Sequence, residues 1–178
     1  MQPKRPMIFV ISFVVMVLLV MIIGKISLSI QFNKQVTELF SNSRKDSVKT
    51  YTQELLTGLP EPVQRYFKYV LREGQHKITT VRFKHDGQFK TGAEKSWVAI
   101  KGEQYVTTET PGFIWKGTTT LFTARDLYIA DKGRLTVSLF SVIKVVDAKG
   151  KNYDQGELLR WLGESVLYPT NLLPGERL

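Results

Sequence analysis

The chain contains no cysteine. That excludes disulfides, thiol nucleophiles, zinc–thiolate centres and a lipobox. Histidine is almost as scarce: His76 and His85 are the only two in 178 residues, too few for a metal centre without further ligands. No G-x-S-x-G, G-x-G-x-x-G or G-x-x-x-x-G-K occurs, so the common nucleophile elbow and phosphate-cradling loops are missing and no cofactor is expected. A tract of one charge sign is missing too. Lys and Arg number 25 against 16 acidic residues, but the positives are scattered from Lys68 to Lys151. A solvated surface facing anionic headgroups accounts for that pattern, and without a groove-reading motif no nucleic-acid partner is expected.

What the chain does have is an uninterrupted apolar run. Residues 7–24 read MIFVISFVVMVLLVMIIG, with Ser12 the one polar side chain, Lys4 and Arg5 before it and Lys25 after it. At about 1.5 Å per helical residue the run spans roughly 27 Å, close to the ~30 Å hydrocarbon core of a bilayer. It is too long for a core helix of a domain this size. A cleaved signal peptide is the rival reading, with Ser27 and Ser29 spaced like a −3/−1 site. The run exceeds a usual h-region and no A-x-A follows, so a retained anchor is expected. Lys4 and Arg5 favour a cytoplasmic amino terminus, whereas Lys25, Lys34, Arg44 and Lys45 argue the reverse. A short N-tail before a first apolar segment behaves as a signal anchor, which puts the domain outside the cytoplasm. The expected organisation is a cytoplasmic tail at 1–6, a transmembrane anchor at 7–24, a juxtamembrane helix and linker at 25–46, and an α+β domain at 47–178.

Beyond the anchor, Phe32, Val36, Leu39 and Phe40 recur at helical spacing, extending the membrane helix or lying on the membrane surface. Residues 41–46 form a polar break. Val48, Tyr51 and Leu55 predict a short amphipathic helix stopped near Gly58-Leu59-Pro60. In LPEPVQRYFKYVLREG, Pro62 suits the N1 position, Val63, Tyr66, Phe67, Val70 and Leu71 share a face, and Gly74 suits a C′ stop. From Lys77 to Asp147 the period changes from 3.6 to 2, predicting strands at 78–83, 96–101, 105–110, 113–122, 126–130 and 135–146. Turns are expected at His85-Asp86-Gly87, Thr91-Gly92, Lys101-Gly102-Glu103, Pro111-Gly112 and Asp131-Lys132-Gly133. Connections this short suit an antiparallel meander. Asp154 then predicts an N-cap with Glu157 completing a capping box, opening a helix with Leu158, Leu159, Leu162 and Val166 on its apolar side and Glu157, Arg160 and Glu164 as a polar stripe. The expected class is α+β: a transmembrane helix, short helices, and a curved, half-barrel-like antiparallel sheet with a C-terminal helix. The helices predicted at 48–57 and 62–73 would cover one sheet face.

Several segments in order, LPEPVQRYFKYVL, PGFIW, DLYIADKGRL and GELLRWLGESVLYPTNLLP, resemble a family of uncharacterised bacterial membrane-anchored proteins, a domain of unknown function. The likeness covers roughly residues 59–174. In that family the segment like YPTNLLP is followed by more β-structure, so the resemblance implies a C-terminally truncated member with an unpaired sheet edge.

Two groups of residues are candidates for function. Glu157, Arg160 and Glu164 are spaced i, i+3, i+7 on one helix face, which separates the carboxylates by about 10 Å along the axis, too far to share a proton. The aromatics Tyr66, Trp97, Tyr105, Phe113, Trp115, Phe122 and Tyr128 could line a ligand groove on a curved sheet. The leading expectation is a single-pass, membrane-anchored, non-catalytic module binding a lipid or other apolar small molecule. A membrane-tethered protein–protein scaffold is the alternative, and a hydrolase using Glu157 and Glu164 the distant one.

Overall fold

The computed structural model of the chain describes residues 4–43 and 49–174. It opens with a single helix, α1 (Lys4–Ser41), in which the apolar run passes without a break into the amphipathic stretch 31–41. One helix is therefore long and apolar enough to cross a membrane, among the described residues. The helix ends inside the expected polar break, and residues 44–48 lie outside the described residues.

Six strands follow: β1 (Thr80–Phe89), β2 (Val98–Thr107), β3 (Gly112–Thr118), β4 (Phe122–Ile129), β5 (Lys132–Leu139) and β6 (Ile143–Lys149). Each pairs antiparallel with the next, giving an open sheet in chain order. The α+β class and the meander are as expected, but several boundaries differ. His85-Asp86-Gly87 and Lys101-Gly102-Glu103, expected as turns, lie inside β1 and β2 and pair with each other. Conversely, the expected strand 135–146 is a hairpin, folded at Phe140 (φ 50°) and Ser141 (φ 64°). The β4–β5 turn likewise uses Ala130 (φ 49°) and Asp131 (φ 61°), one position before the expected Asp-Lys-Gly. The β4–β5 connection has two residues and the β5–β6 connection three, and each puts two successive residues in the left-handed region, the geometry that matches strand twist. Neither carries glycine, the residue that normally announces such a turn.

The sheet is covered by α1 on one face and by α3 (Lys151–Glu164) on the other, not by the helices predicted near 48–57 and 62–73. On the α1 face, Phe32 and Leu39 pack on Ile114, Leu127 and Ile129. The buried Arg125 reaches back to α1, donating to Gln35 Oε1 at 3.0 Å and Gln31 Oε1 at 3.1 Å. On the α3 face, Trp161 and Tyr168 pack on Val106, Phe113 and Tyr128. The 48–57 segment holds just one 3-10 turn, Gln53–Leu56. With α2 (Glu61–Val70) and Leu173 it forms a separate cluster of Tyr51, Leu56, Phe67 and Leu71. Pro62 is in the first turn of α2 as predicted, but the helix stops at Val70, and Gly74 (φ 76°) serves the turn beyond it.

Orientation along the strands follows from two close approaches. A methyl group at Gly24 would overlap the Ser141 carbonyl in the β5–β6 turn, while one at Gly112 would press on Leu39. Helix α1 thus runs along the strands, and the sheet has a near end, at the β5–β6 turn beside the apolar run of α1, and a far end. The sheet also coils. Phe89 on β1 and Phe122 on β4 have two strands between them, yet their ring centroids are 6.4 Å from each other. Flat strands at about 4.8 Å spacing would set those backbones roughly 14 Å apart. By side-chain alternation both rings belong to the α3 face, which is the concave one.

Candidate functional site

Two-residue alternation puts Phe83 and His85 of β1, Ile100, Gly102 and Gln104 of β2, Phe113, Trp115 and Gly117 of β3, and Ala124 and Asp126 of β4 on the α3 face. Helix α3 packs over the far half of that face and leaves the near half uncovered by helix.

The open half has a floor made by glycine. Gly102 pairs with Gly117 across β2 and β3. A Cβ at Gly102 would overlap the His85 imidazole, and one at Gly117 would overlap the Trp115 indole. Their absence lets both rings lie along the sheet, which is the close-approach use of glycine within a strand. Trp115 Nε1 donates to His85 Nε2 at 3.0 Å, and the two rings are within 9° of parallel. Ile100 is buried beside them, and Phe89 and Phe122 close the end.

The covered half holds a charged cluster, because α3 presents to the sheet the side expected to be polar and solvated. Trp161 is its buried residue, with Ser165 just beyond the helix. Leu158, Leu159, Leu162 and Val166, expected as the packing face, are exposed. The register is set at the helix start. Gly150 (φ 117°) is the N-cap, one residue after β6, and Asp154 lies within the first turn instead of capping it. Its carboxylate accepts from the Gly133 N–H at 2.8 Å and from Lys132 Nζ at 3.2 Å, clamping the β4–β5 hairpin to α3.

Arg160 is the centre of the cluster. It donates to Asp126 Oδ2 at 2.6 Å and to Glu164 Oε1 at 2.9 Å, and its guanidinium stacks 4.9 Å from the Phe113 ring and 5.4 Å from Trp115. Gln104 Nε2 donates to the second Glu164 oxygen at 2.5 Å. Asp126 Oδ1 is buried and has no hydrogen-bond partner. Burial raises the Asp126 pKa against the opposing pull of Arg160. Glu157 is pushed up to about 7, by burial first and then by the charges of Asp126 and Glu164, with Arg160 opposing. One guanidinium therefore faces three carboxyl groups, one of which titrates near neutrality. Among the described residues no three His, Asp or Glu side chains have metal-ligating geometry.

The Glu157 shift has a definite sign. Its folded pKa lies above the ordinary value of 4.5, so its ionisation disfavours the folded state. Its effect on stability is absent at low pH and grows as pH rises from about 4.5 to about 7. Glu157→Gln is expected to remove this fall, leaving the variant more stable than the parent at pH 8 and no more stable at pH 4. Denaturant midpoints across that range check it, and equal gain at both pH values would refute the assignment.

Of the residues singled out from sequence, Phe113, Trp115, Tyr128, Glu157, Arg160 and Glu164 come together on the α3 face. Tyr105 is on the opposite face, with Phe32 and Phe40 at about 6 Å and its hydroxyl donating to Glu103 at 2.9 Å. Tyr66 belongs to α2, beside Phe67, and Trp97 to the exposed β1–β2 hairpin, under Lys90. Asp126, Gln104, His85 and the Gly102–Gly117 pair were missed. Glycine inside a β-rich run is the available signal: Gly102 reads as part of a turn, and Gly117 lies unremarked within the expected strand 113–122.

A family model described as a family of unknown function (DUF6544) matches residues 49–178. No curated protein and no solved structure matches the chain.

Proposed function

The chain belongs to DUF6544, a family of unknown function, and we propose that it is a membrane-anchored module that binds an amphiphile on the concave face of its sheet. The amphiphile's apolar part lies along Ile100, Trp115 and the glycine floor, and its polar head, a protonated amine or another hydrogen-bond donor, meets the carboxyl cluster. The observation that carries this reading is the buried Asp126 Oδ1 without a partner, directly across the strands from the half-buried Trp115. Leaving a buried acceptor unsatisfied costs about 1–3 kcal/mol, which a donor head would relieve. The excess of carboxyl groups over the single guanidinium selects a cation over an anion. Helix α1 supplies the anchor, and Lys4 and Arg5 ahead of it favour a domain outside the cytoplasm, which a reporter fused after Leu178 reads directly.

Native mass spectrometry of the detergent-extracted full chain, offered dodecylamine and dodecanoate at equal concentration, tests the binding. Retention of one amine per chain is expected, with loss in Trp115→Ala and in Asp126→Asn. Preference for the carboxylate, or retention unaffected by both substitutions, would count against this site. The scaffold reading has its own support in the exposed leucines of α3, and it gains if neither amphiphile is retained while a protein partner is lost on Leu159→Lys. A hydrolase through Glu157 and Glu164 has less support, since both Glu164 oxygens are already hydrogen-bonded.

A further inference from the structure

We infer that the near end of the sheet is itself a membrane-binding surface, its turns resting in the lipid interface beside α1. The inference rests on the reading of α1 as an anchor and goes beyond it, because an anchored domain could equally stand clear of the bilayer on a stalk.

Depth is fixed by Gly24. Residues 7–24 span roughly 27 Å of a ~30 Å hydrocarbon core, so Gly24 falls near the boundary between acyl chains and headgroups. The absent side chain at that position brings the helix backbone against the Ser141 carbonyl and the Val142 side chain. The β5–β6 turn is therefore at the boundary depth. On the outward side of α1, Ile26 and Ile30 remain exposed past Gly24, as a helix still in contact with lipid would have them.

The side chains around that depth are apolar where a soluble domain would carry polar turns. Phe140, Val142 and Ile143 are exposed at the β5–β6 turn, and Leu121, 53% exposed, projects from the β3–β4 turn. The β1–β2 hairpin ends at the same side of the sheet, where Phe89 meets Phe122. It carries Trp97, 61% exposed, with the Lys90 ammonium 5.0 Å from its ring. Exposed tryptophan and lysine next to apolar turns is the composition of interfacial anchors.

Charge behind the rim agrees. Near this end of β1 to β3, a cleft of about 320 Å³ is lined by Lys84, Lys101, Lys116, Asp86, Glu103 and Thr118 of the α1 face, together with His85 and Gly102. Glu103 is already engaged by Arg82 at 2.6 Å, by Lys116 at 3.5 Å and by the Tyr105 hydroxyl, which leaves Lys84 and Lys101 against Asp86 and a net positive outward field. Lysines at headgroup level attract an anionic leaflet. The occupant is thus the headgroup region of a bilayer containing anionic phospholipid. The open half of the concave face ends at the same rim, which would let an amphiphile pass from the leaflet onto Ile100 and Trp115 without crossing water.

The absence of native cysteine makes the test direct. Single-cysteine variants of the full chain, Leu121→Cys, Val142→Cys and Trp97→Cys, carry an environment-sensitive fluorophore in vesicles of phosphatidylethanolamine with phosphatidylglycerol. Val15→Cys reports the anchor, and Tyr69→Cys on the exposed side of α2 is the aqueous control. The expected result is a blue-shifted emission, quenched by doxyl-labelled lipid, at Leu121 and Val142 as well as at Val15, with no quenching at Tyr69. Quenching at Val15 alone would overturn the rim while keeping the anchor. Rim quenching without Val15 quenching would retire the spanning helix and leave a peripheral contact, and no quenching at either would overturn both.

Discussion

Trp161→Ala is expected to destabilise the domain by about 3–5 kcal/mol, the usual cost of emptying a large aromatic site. The indole joins α3 to the far half of the sheet among Val106, Phe113, Tyr128 and Tyr168. Its Nε1 donates to the Thr107 carbonyl at 2.9 Å, so truncation also leaves a buried acceptor unpaired. Against a total stability of roughly 5–15 kcal/mol, the loss should lower the melting temperature of the full chain by on the order of 10 °C. The paired control is Leu159→Lys with Leu162→Lys. Both leucines face solvent, and each change should cost within about 0.5 kcal/mol. Thermal unfolding followed by near-UV circular dichroism reads both. If the lysine pair unfolded the domain and Trp161→Ala did not, α3 would be docked by its other face.

Gly133→Ala should have the second large effect. A methyl there would overlap the Tyr153 carbonyl and come close to the Asp154 amide. These are backbone atoms at the start of α3, so no rotamer change relieves the clash, and the helix must move off β5. Overpacking of this kind costs about 1–3 kcal/mol. The shift also weakens the Gly133 N–H bond to Asp154 Oδ1. Because both contacts belong to one joint, Gly133→Ala and Asp154→Ala combined should lose less stability than the sum of the single losses. Strict additivity in denaturant unfolding would mean that the joint does not act as a unit.

The same joint explains why the candidate site was hard to read from sequence. In the C-terminal helix, Leu158, Leu159, Leu162 and Val166 make a reasonable apolar stripe, and Glu157, Arg160 and Glu164 a reasonable solvated one. Side-chain hydropathy alone puts the leucines inward. The structure rotates the helix so that Trp161, with Ser165 beyond it, meets the sheet. One large aromatic with a hydrogen-bonded indole takes the contact, and Asp126 and Gln104 on the sheet satisfy Arg160 and Glu164. Asp126 could not have been chosen from the β4 sequence, because its importance lies in a partner 34 positions away.

Strand boundaries show a related limit. Gly102 looks like a break when read with its sequence neighbours, and Gly117 like an ordinary position of the strand 113–122. Paired across two strands, they instead make room for His85 and Trp115. At the turns Ala130-Asp131 and Phe140-Ser141 only Asp131 is of a type that favours positive φ, and the antiparallel pairing on either side holds the other three there.

The sequence by itself determined what local pattern and length decide. These are the apolar helix able to span a bilayer, the amphipathic character of residues 31–41, the antiparallel meander that short connections require, and the α+β class. The tertiary structure decided which faces meet: the second half of α1 as a layer of the domain, the charged side of α3 turned inward, and the β5–β6 turn brought level with Gly24. Periodicity is a property of neighbouring residues along one element. The choice between two faces depends on shape and hydrogen-bond partners that distant strands supply, and those exist only once the chain has folded.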